Sequence, residues 1–249
     1  FTKTVVFLDN NIIDERIIES KCYNGGNHLL NIGNLSRLLI GELFHYQILM
    51  YLDSDSIIQE DLYEKIKNID STCPYYGLRA NVVGDTIKQN ICLKLSSIIN
   101  TDFNWNSIIH SDINGNDWAY MGAPFVANCQ LWNDVYSSLI TIVQKHNETE
   151  GGLYSIFTMS LQNIIFYQRA RDISPYVKCI CDCGSVRKIW SEDDLQADVL
   201  DWSGNLKPWF TNGLYREKWL THDIMNLSLF MTNAEDQKHN TIETFQVQL

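Results

Sequence analysis

An apolar run, Ile48-Leu49-Met50-Tyr51-Leu52, ends without transition in Asp53-Ser54-Asp55, two carboxylates one residue apart. Five apolar residues closed by a short acidic segment read as a buried strand and its carboxyl-end loop. Ligands of open α/β sheets bind outside the carboxyl ends of the strands. On a turning backbone, aspartates at i and i+2 can converge on one hard cation, and such a cation can hold a diphosphate. A plain Asp/Ser turn satisfies the same letters, so both readings stay open at this point.

The surrounding pattern alternates strand-like and helix-like segments, which places the chain in the α/β class. Residues 4–8 read as a strand closed by Asp9-Asn10-Asn11, residues 12–20 as a helix, and residues 22–34 as a Gly- and Asn-rich loop. Residues 35–44 read as a helix capped by Asn34 or Ser36, running straight into the opening stretch. Further on, the spacing predicts a short amphipathic helix over 59–69, strands over 75–80, 123–127 and 177–183, and helices over 132–146, 153–167 and 215–220. Residues 85–117 lack a period and carry aromatic and Asn-rich pieces; they read as a functional insertion, and the aromatics of 104–120 offer faces on which a ligand could stack. Residues 232–249 are polar and weakly patterned and read as a tail. Neither an internal repeat nor a linker-like boundary interrupts the rest.

Composition narrows the function. With 249 residues, 45% of them hydrophobic, the chain can bury a sizeable core. A net charge of −11 excludes a nucleic-acid surface, which needs clustered Lys and Arg. No apolar run approaches the roughly 20 residues that span a bilayer, and no signal peptide is visible, so no membrane span is expected. Seven scattered cysteines, an odd number, point to reduced thiols and a cytoplasmic location, the host cytoplasm if the source is viral, as its Ile- and Asn-rich usage hints. Cys179, Cys181 and Cys183 alternate and would share one face of a strand, though Cys-x-Cys-x-Cys is not a usual zinc spacing. Of three glycosylation sequons, the one at Asn34 falls beside Arg37, where a glycan would obstruct any ligand site at that arginine.

Three segments in order resemble glycosyltransferase family 8, the retaining enzymes that include glycogenin and bacterial lipopolysaccharide galactosyl- and glucosyltransferases. They are Ser36-Arg37-Leu38-Leu39-Ile40-Gly41-Glu42-Leu43, the Tyr51-Leu52-Asp53-Ser54-Asp55 metal motif, and Asp201-Trp202-Ser203-Gly204-Asn205-Leu206-Lys207-Pro208-Trp209. The resemblance spans residues 4–220. It implies a GT-A-like, Rossmann-like domain over residues 1–231, with a mostly parallel central sheet flanked by helices and a small antiparallel part near the active site. The tail of 232–249 would lie outside that domain. It implies transfer of a hexose from a UDP-sugar to a hydroxyl on a glycan, protein or lipid-linked acceptor, with retention at the anomeric carbon. Mn²⁺, or Mg²⁺, would be held by Asp53, Asp55 and Asp201. Arg37, Asp53, Asp55, Gly204 and Lys207 would bind the donor and its diphosphate, and Gln162 would sit beside the anomeric carbon as the catalytic position.

The departures from the family pattern are specific. Asp201 stands where the late motif begins with a metal-binding histidine, giving an all-carboxylate set. Gly122-Ala123-Pro124 lacks the asparagine of the family's sugar-side strand, and Leu161-Gln162 keeps the glutamine of an Asp-Gln pair without its aspartate. Residues 4–8 resemble the family's second strand, so the first β-α unit, which holds the nucleoside, is expected to be absent. These changes keep open a degenerate GT-A module that binds a nucleotide-sugar without transferring it. A third alternative, a haloacid-dehalogenase-like phosphatase, also uses an Asp-x-Asp after an apolar strand, but it leaves Ser36 to Leu43 and Lys207-Pro208-Trp209 unexplained.

Overall fold

The computed structural model describes residues 34, 36–44, 48–83, 90–186 and 189–222. The strand expected over 4–8, the helix over 12–20, the loop over 22–33, the tail over 232–249, Cys22 and the sequon at Asn226 lie outside these residues. The described strands are β1 (Leu49–Tyr51), β2 (Ser56–Ile58), β3 (Tyr75–Arg79), β4 (Asn81–Val83), β5 (Asn90–Cys92), β6 (Tyr120–Ala127), β7 (Ala170–Asp172), β8 (Cys179–Ile180) and β9 (Val199–Asp201). The helices are α1 (Ile40–Leu43), α2 (Leu62–Ile66), α3 (Asn106–Ile109), α4 (Val135–Glu148), α5 (Phe157–Ile165) and α6 (Arg216–Leu220). This is a GT-A-type α/β fold, and it divides into two compact units.

The first unit takes residues 1–52, 69–82 and 90–173. Its four-stranded sheet runs β1-β6-β3-β7, with β1–β6 and β3–β6 antiparallel and β3–β7 parallel. The described strand pairs are mixed, because β6 enters between β1 and β3 in the opposite sense. Every residue of β1 is half-buried, against the fully buried strand that its apolar letters predict. Aromatic rings fill the space between sheet and helices: Tyr75 stacks on Phe166 at 4.9 Å, Tyr51 on Phe125 at 4.9 Å, and Trp132 lies 4.8 Å from Phe166. Such pairs contribute about 0.5–1.5 kcal/mol each beyond the area they bury. Trp132 also donates its indole N–H to the Pro74 carbonyl at 2.8 Å, so its polar atom is satisfied inside the core.

Helix α4 carries the expected stripe, with Val135, Leu139 and Val143 buried, while α5 is buried on nearly every side and so is a central helix. Two neighbouring polar residues interrupt α5. The Asn163 amide accepts from Tyr120 N–H at 2.8 Å and donates to the Tyr120 carbonyl at 2.8 Å, clamping the helix to the start of β6. Gln162, 1% exposed, makes no hydrogen bond among the described residues through either amide atom.

The second unit takes residues 53–68, 83–89 and 174–249. Its sheet runs β2-β9-β8, with β2–β9 antiparallel and β8–β9 parallel. Ile57, Ile180, Leu195, Leu200 and Trp202 form its core. Helix α2 begins where Asp61 caps it, its carboxylate accepting from Tyr63 N–H at 3.0 Å. The strand expected over 177–183 is only two residues long. Asp182 holds a left-handed backbone (φ 65°), and the three alternating cysteines are buried thiols that form no disulfide, rather than one face of a strand. Burial pushes the Cys179 thiol up to about 12, so it is a protonated packing group.

Candidate active site

The acidic stretch becomes a site through strand pairing. The chain leaves β1, turns over Asp53 to Ser56 with Ser56 N–H donating to the Asp53 carbonyl at 3.1 Å, and enters β2. Neither β2 nor β9 was expected from the sequence, because three-residue strands carry no readable period. Their antiparallel register sets Ser56 opposite Asp201, 145 residues later, and Trp202 N–H donates to the Asp55 carbonyl at 3.0 Å. One carboxylate oxygen from each of Asp53, Asp55 and Asp201 then falls within 4.8 Å of the others.

That spacing fits a divalent cation. Two oxygens opposite one another across a cation are separated by about 4.0–4.2 Å at the about 2.0–2.1 Å bonds of Mg²⁺ and by about 4.6–5.2 Å at the about 2.3–2.6 Å bonds of Ca²⁺, so the three groups need only draw in slightly around the smaller ion. Asp201 is the fixed member. It is 1% exposed; Oδ2 accepts from the Ser56 hydroxyl at 2.8 Å, and Oδ1 accepts from Ser203 N–H at 3.0 Å and from the Ser203 hydroxyl. Burial and the charge of Asp55 push its carboxyl up to about 6, against the two serines, which favour the ionised form. Ser56 and Ser203, which hold Asp201 in place, are residues that sequence reasoning missed. Their only signal was a serine beside each acidic position.

The late motif closes over the same unit. Gly204 has φ 114°, and a Cβ there would lie 2.6 Å from the Gly184 carbonyl oxygen, so the loops carrying the two glycines meet backbone to backbone. Leu206 N–H donates to the same carbonyl at 3.0 Å. Glycine at 204 thus already has a structural cause in this packing. Lys207 reaches back to Asp55, with its ammonium on Oδ2, and donates to the Trp202 carbonyl at 2.7 Å. Pro208 is buried, and Trp209 meets Trp219 edge-on at 5.3 Å, which anchors the segment as the motif implies. Trp202 is sealed in the core, its indole N–H on the Leu214 carbonyl at 2.8 Å.

Two predicted residues belong to the first unit and lie together there. Arg37 sits in a tight 3-10 turn ahead of α1, not on a solvated helix face, and is 7% exposed. Its guanidinium donates to the Gly122 carbonyl at 3.1 Å and to Asn34 Oδ1 at 2.9 Å, and lies 4.9 Å from the Tyr51 ring centre. Ser36 makes no side-chain cap to this turn, and the Asn34 side chain accepts from the arginine. A Cβ on Gly122 would meet Arg37 Nη1 at 3.3 Å and Gln162 Oε1 at 3.5 Å, so the glycine that replaces the family's asparagine leaves room for both.

The site is thus a carboxylate triad with an adjacent lysine, a donor set that could hold a divalent cation, on an α/β fold. The chain belongs to glycosyltransferase family 8, whose model matches residues 3–213. Among solved structures it is similar to the galactosyltransferase LgtC in complex with donor and acceptor sugar analogues, at 12% identity and TM-score 0.53, covering 92% of this chain and 74% of that one. It is also similar to the apo structure of the bifunctional glycosyltransferase WbbM, at 13% identity and TM-score 0.53, covering 86% of this chain but 39% of that one. At these identities the likeness speaks for the fold. No curated protein sequence matches the chain. Family membership sets the phosphatase alternative aside. No helix among the described residues is long and apolar enough to cross a membrane.

Proposed function

We propose that the chain is a metal-dependent retaining glycosyltransferase that moves a hexose from a UDP-sugar to a hydroxyl of a glycan, protein or lipid-linked acceptor, through a domain over residues 1–231. The observation that carries this reading is the convergence of Asp53, Asp55 and Asp201, from two distant segments of a family 8 chain. Asp53, Asp55 and Asp201 would hold Mn²⁺ or Mg²⁺, which when bound supplies Lewis-acid charge for the leaving diphosphate. Lys207 would give a phosphate oxygen a charge-assisted hydrogen bond, and the loop at Gly204 would let backbone approach the diphosphate. Arg37 and Gln162 would bind the donor sugar, Gln162 offering an amide that no described residue uses. In the transfer, the acceptor oxygen bonds to the anomeric carbon on the face from which the diphosphate departs. The carbon–phosphate oxygen bond breaks, and the acceptor proton passes to the leaving diphosphate.

A second reading, binding without transfer, is favoured by Asp201 in place of histidine. One experiment separates the two. The protein is incubated with a panel of UDP-sugars and Mn²⁺, and UDP release and UDP binding are both followed. Release that disappears in Asp55→Asn supports the transferase; binding without release supports the module; no UDP binding at all sinks both.

A further inference from the structure

In the first unit, a cavity of about 220 Å³ opens beside the insertion and the end of α5. Its walls include Trp118, Tyr120, Phe166 and Tyr167, with Asp117 and Gln168 supplying polar atoms. Its size lies below the about 300–1,000 Å³ of sites that bury drug-sized ligands, so it suits one ring rather than a chain.

The walls are held in place without a ligand. Tyr167 donates its hydroxyl to Asp117 Oδ2 at 2.7 Å and accepts from Asn114 N–H at 2.9 Å, tying the loop to the helix end. Trp118 is 40% exposed, yet it is fixed by the Lys94 ammonium 3.3 Å from its ring centre, which also donates to the Asn116 carbonyl at 2.5 Å. An exposed indole immobilised in this way is a preformed apolar face, and ordering it costs nothing further on binding. Gln168 holds a left-handed backbone (φ 59°), an uncommon conformation for a residue with a side chain.

The remaining hydrogen-bonding capacity identifies the ligand. Both N–H groups of the Asn163 amide are spent on Tyr120 and Met159. Each Asp117 oxygen has one partner, from Tyr167 or Asn114, and therefore keeps a lone pair for a hydroxyl donor. A carboxylate with spare acceptors repels phosphate and carboxylate ligands. Aromatic faces with hydroxyl-seeking acceptors match the CH face and the hydroxyl rim of an uncharged sugar ring.

We propose that this cavity is a subsite for one neutral pyranose of the acceptor glycan. The word acceptor rests on the transferase reading; the sugar site itself rests on the cavity. The full chain, without metal or nucleotide, is titrated with the methyl glycosides of glucose, galactose and mannose, and with uridine as an uncharged aromatic control, by saturation-transfer NMR. At least one glycoside is expected to bind saturably, and Trp118→Ala and Gln168→Ala are each expected to weaken it by about fivefold or more, as truncation of a ring contact or polar anchor does. Both residues are exposed, and an unchanged unfolding midpoint confirms that the variants fold. Absence of saturable glycoside binding, equal affinity in Trp118→Ala, or preference for uridine would overturn the proposal. UDP release from UDP-sugar and Mn²⁺ is measured on the same preparations. Release without glycoside binding refutes the subsite alone, whereas glycoside binding without UDP binding refutes the transferase reading and leaves the sugar site standing.

Discussion

The ammonium of Lys207 rests on the Asp55 carboxylate and donates at the same time to the Trp202 carbonyl, 2.7 Å away. The lysine assigned to the diphosphate is thus the counter-ion of one of the residues assigned to the cation. With side chains 25% and 14% exposed, the pair is partly desolvated and matters more than a surface ion pair. Replacement by methionine frees Asp55. Lys207→Met is expected to bind Mn²⁺ alone more tightly, because the competing cation is gone, yet to bind UDP about tenfold or more weakly through loss of a charge-assisted contact. Calorimetric titration with Mn²⁺ and then with UDP reads both; a fall in Mn²⁺ affinity would show that Lys207 supports the cation site rather than competing for it.

Asp201 brings a third negative charge into a buried place. Asp201→Asn removes that charge and keeps the shape, so the metal-free protein is expected to be at least as stable as wild type, while Mn²⁺ affinity falls by about tenfold or more. Paramagnetic resonance of free Mn²⁺ measures the second effect and thermal unfolding the first. Unchanged Mn²⁺ binding would remove Asp201 from the ligand set.

Gln162 is a buried amide without a partner among the described residues, and such a group costs about 1–3 kcal/mol. Gln162→Leu is therefore expected to raise the stability of the donor-free protein by up to that amount, while transfer activity falls. Urea unfolding beside a UDP-release assay tests the trade. A loss of stability would mean that the amide serves the fold rather than the donor.

Gly204 combines φ 114° with a carbonyl oxygen 2.6 Å from where a Cβ would stand. The backbone conformation alone costs a residue with a side chain about 1–3 kcal/mol. Gly204→Ala is expected to lower the unfolding midpoint and to loosen the Lys207 segment, with Gly184→Ala, 2.9 Å from the Trp202 carbonyl, following the same trend. An unchanged midpoint would show that the two loops do not need this close approach.

Asp70 accepts from Thr72 N–H at 2.9 Å, from the Thr72 hydroxyl at 2.7 Å, and from Arg171 at 2.5 Å. The Thr72 bonds, with Arg171 after them, hold its carboxyl below the ordinary 3.8. A lowered folded-state value means that the stabilisation is fully present above the unfolded value and is lost as pH falls through the folded one. Asp70→Asn is expected to be less stable than wild type at neutral pH, with the difference closing well below pH 3.8. A difference that persists in acid would assign the effect to packing.

Much of this was legible in the chain. Local periodicity located α4, α5 and β3 to within a few residues, since a repeating apolar face reports on its immediate surroundings. The Asp53-Ser54-Asp55 turn and the Lys207-Pro208-Trp209 segment were visible because their residue types are rare in that order, and they pointed to the family that the match over residues 3–213 bears out. The sequence by itself therefore determined the fold class and the family.

What it could not determine were contacts made across long stretches of chain. Strands β2 and β9 are too short to carry a pattern, yet their register is what sets Ser56 against Asp201 and brings the third carboxylate to the other two. The meeting of Gly204 with Gly184, the burial of Arg37 against Gly122, and the contrast between a satisfied Asn163 and an unsatisfied Gln162 likewise arise only when distant segments pack. A residue's type fixes which bonds it is able to make. Only the tertiary structure decides which partner stands within reach, because hydrogen bonds and ion pairs act over a few ångströms of space, whatever the separation along the chain.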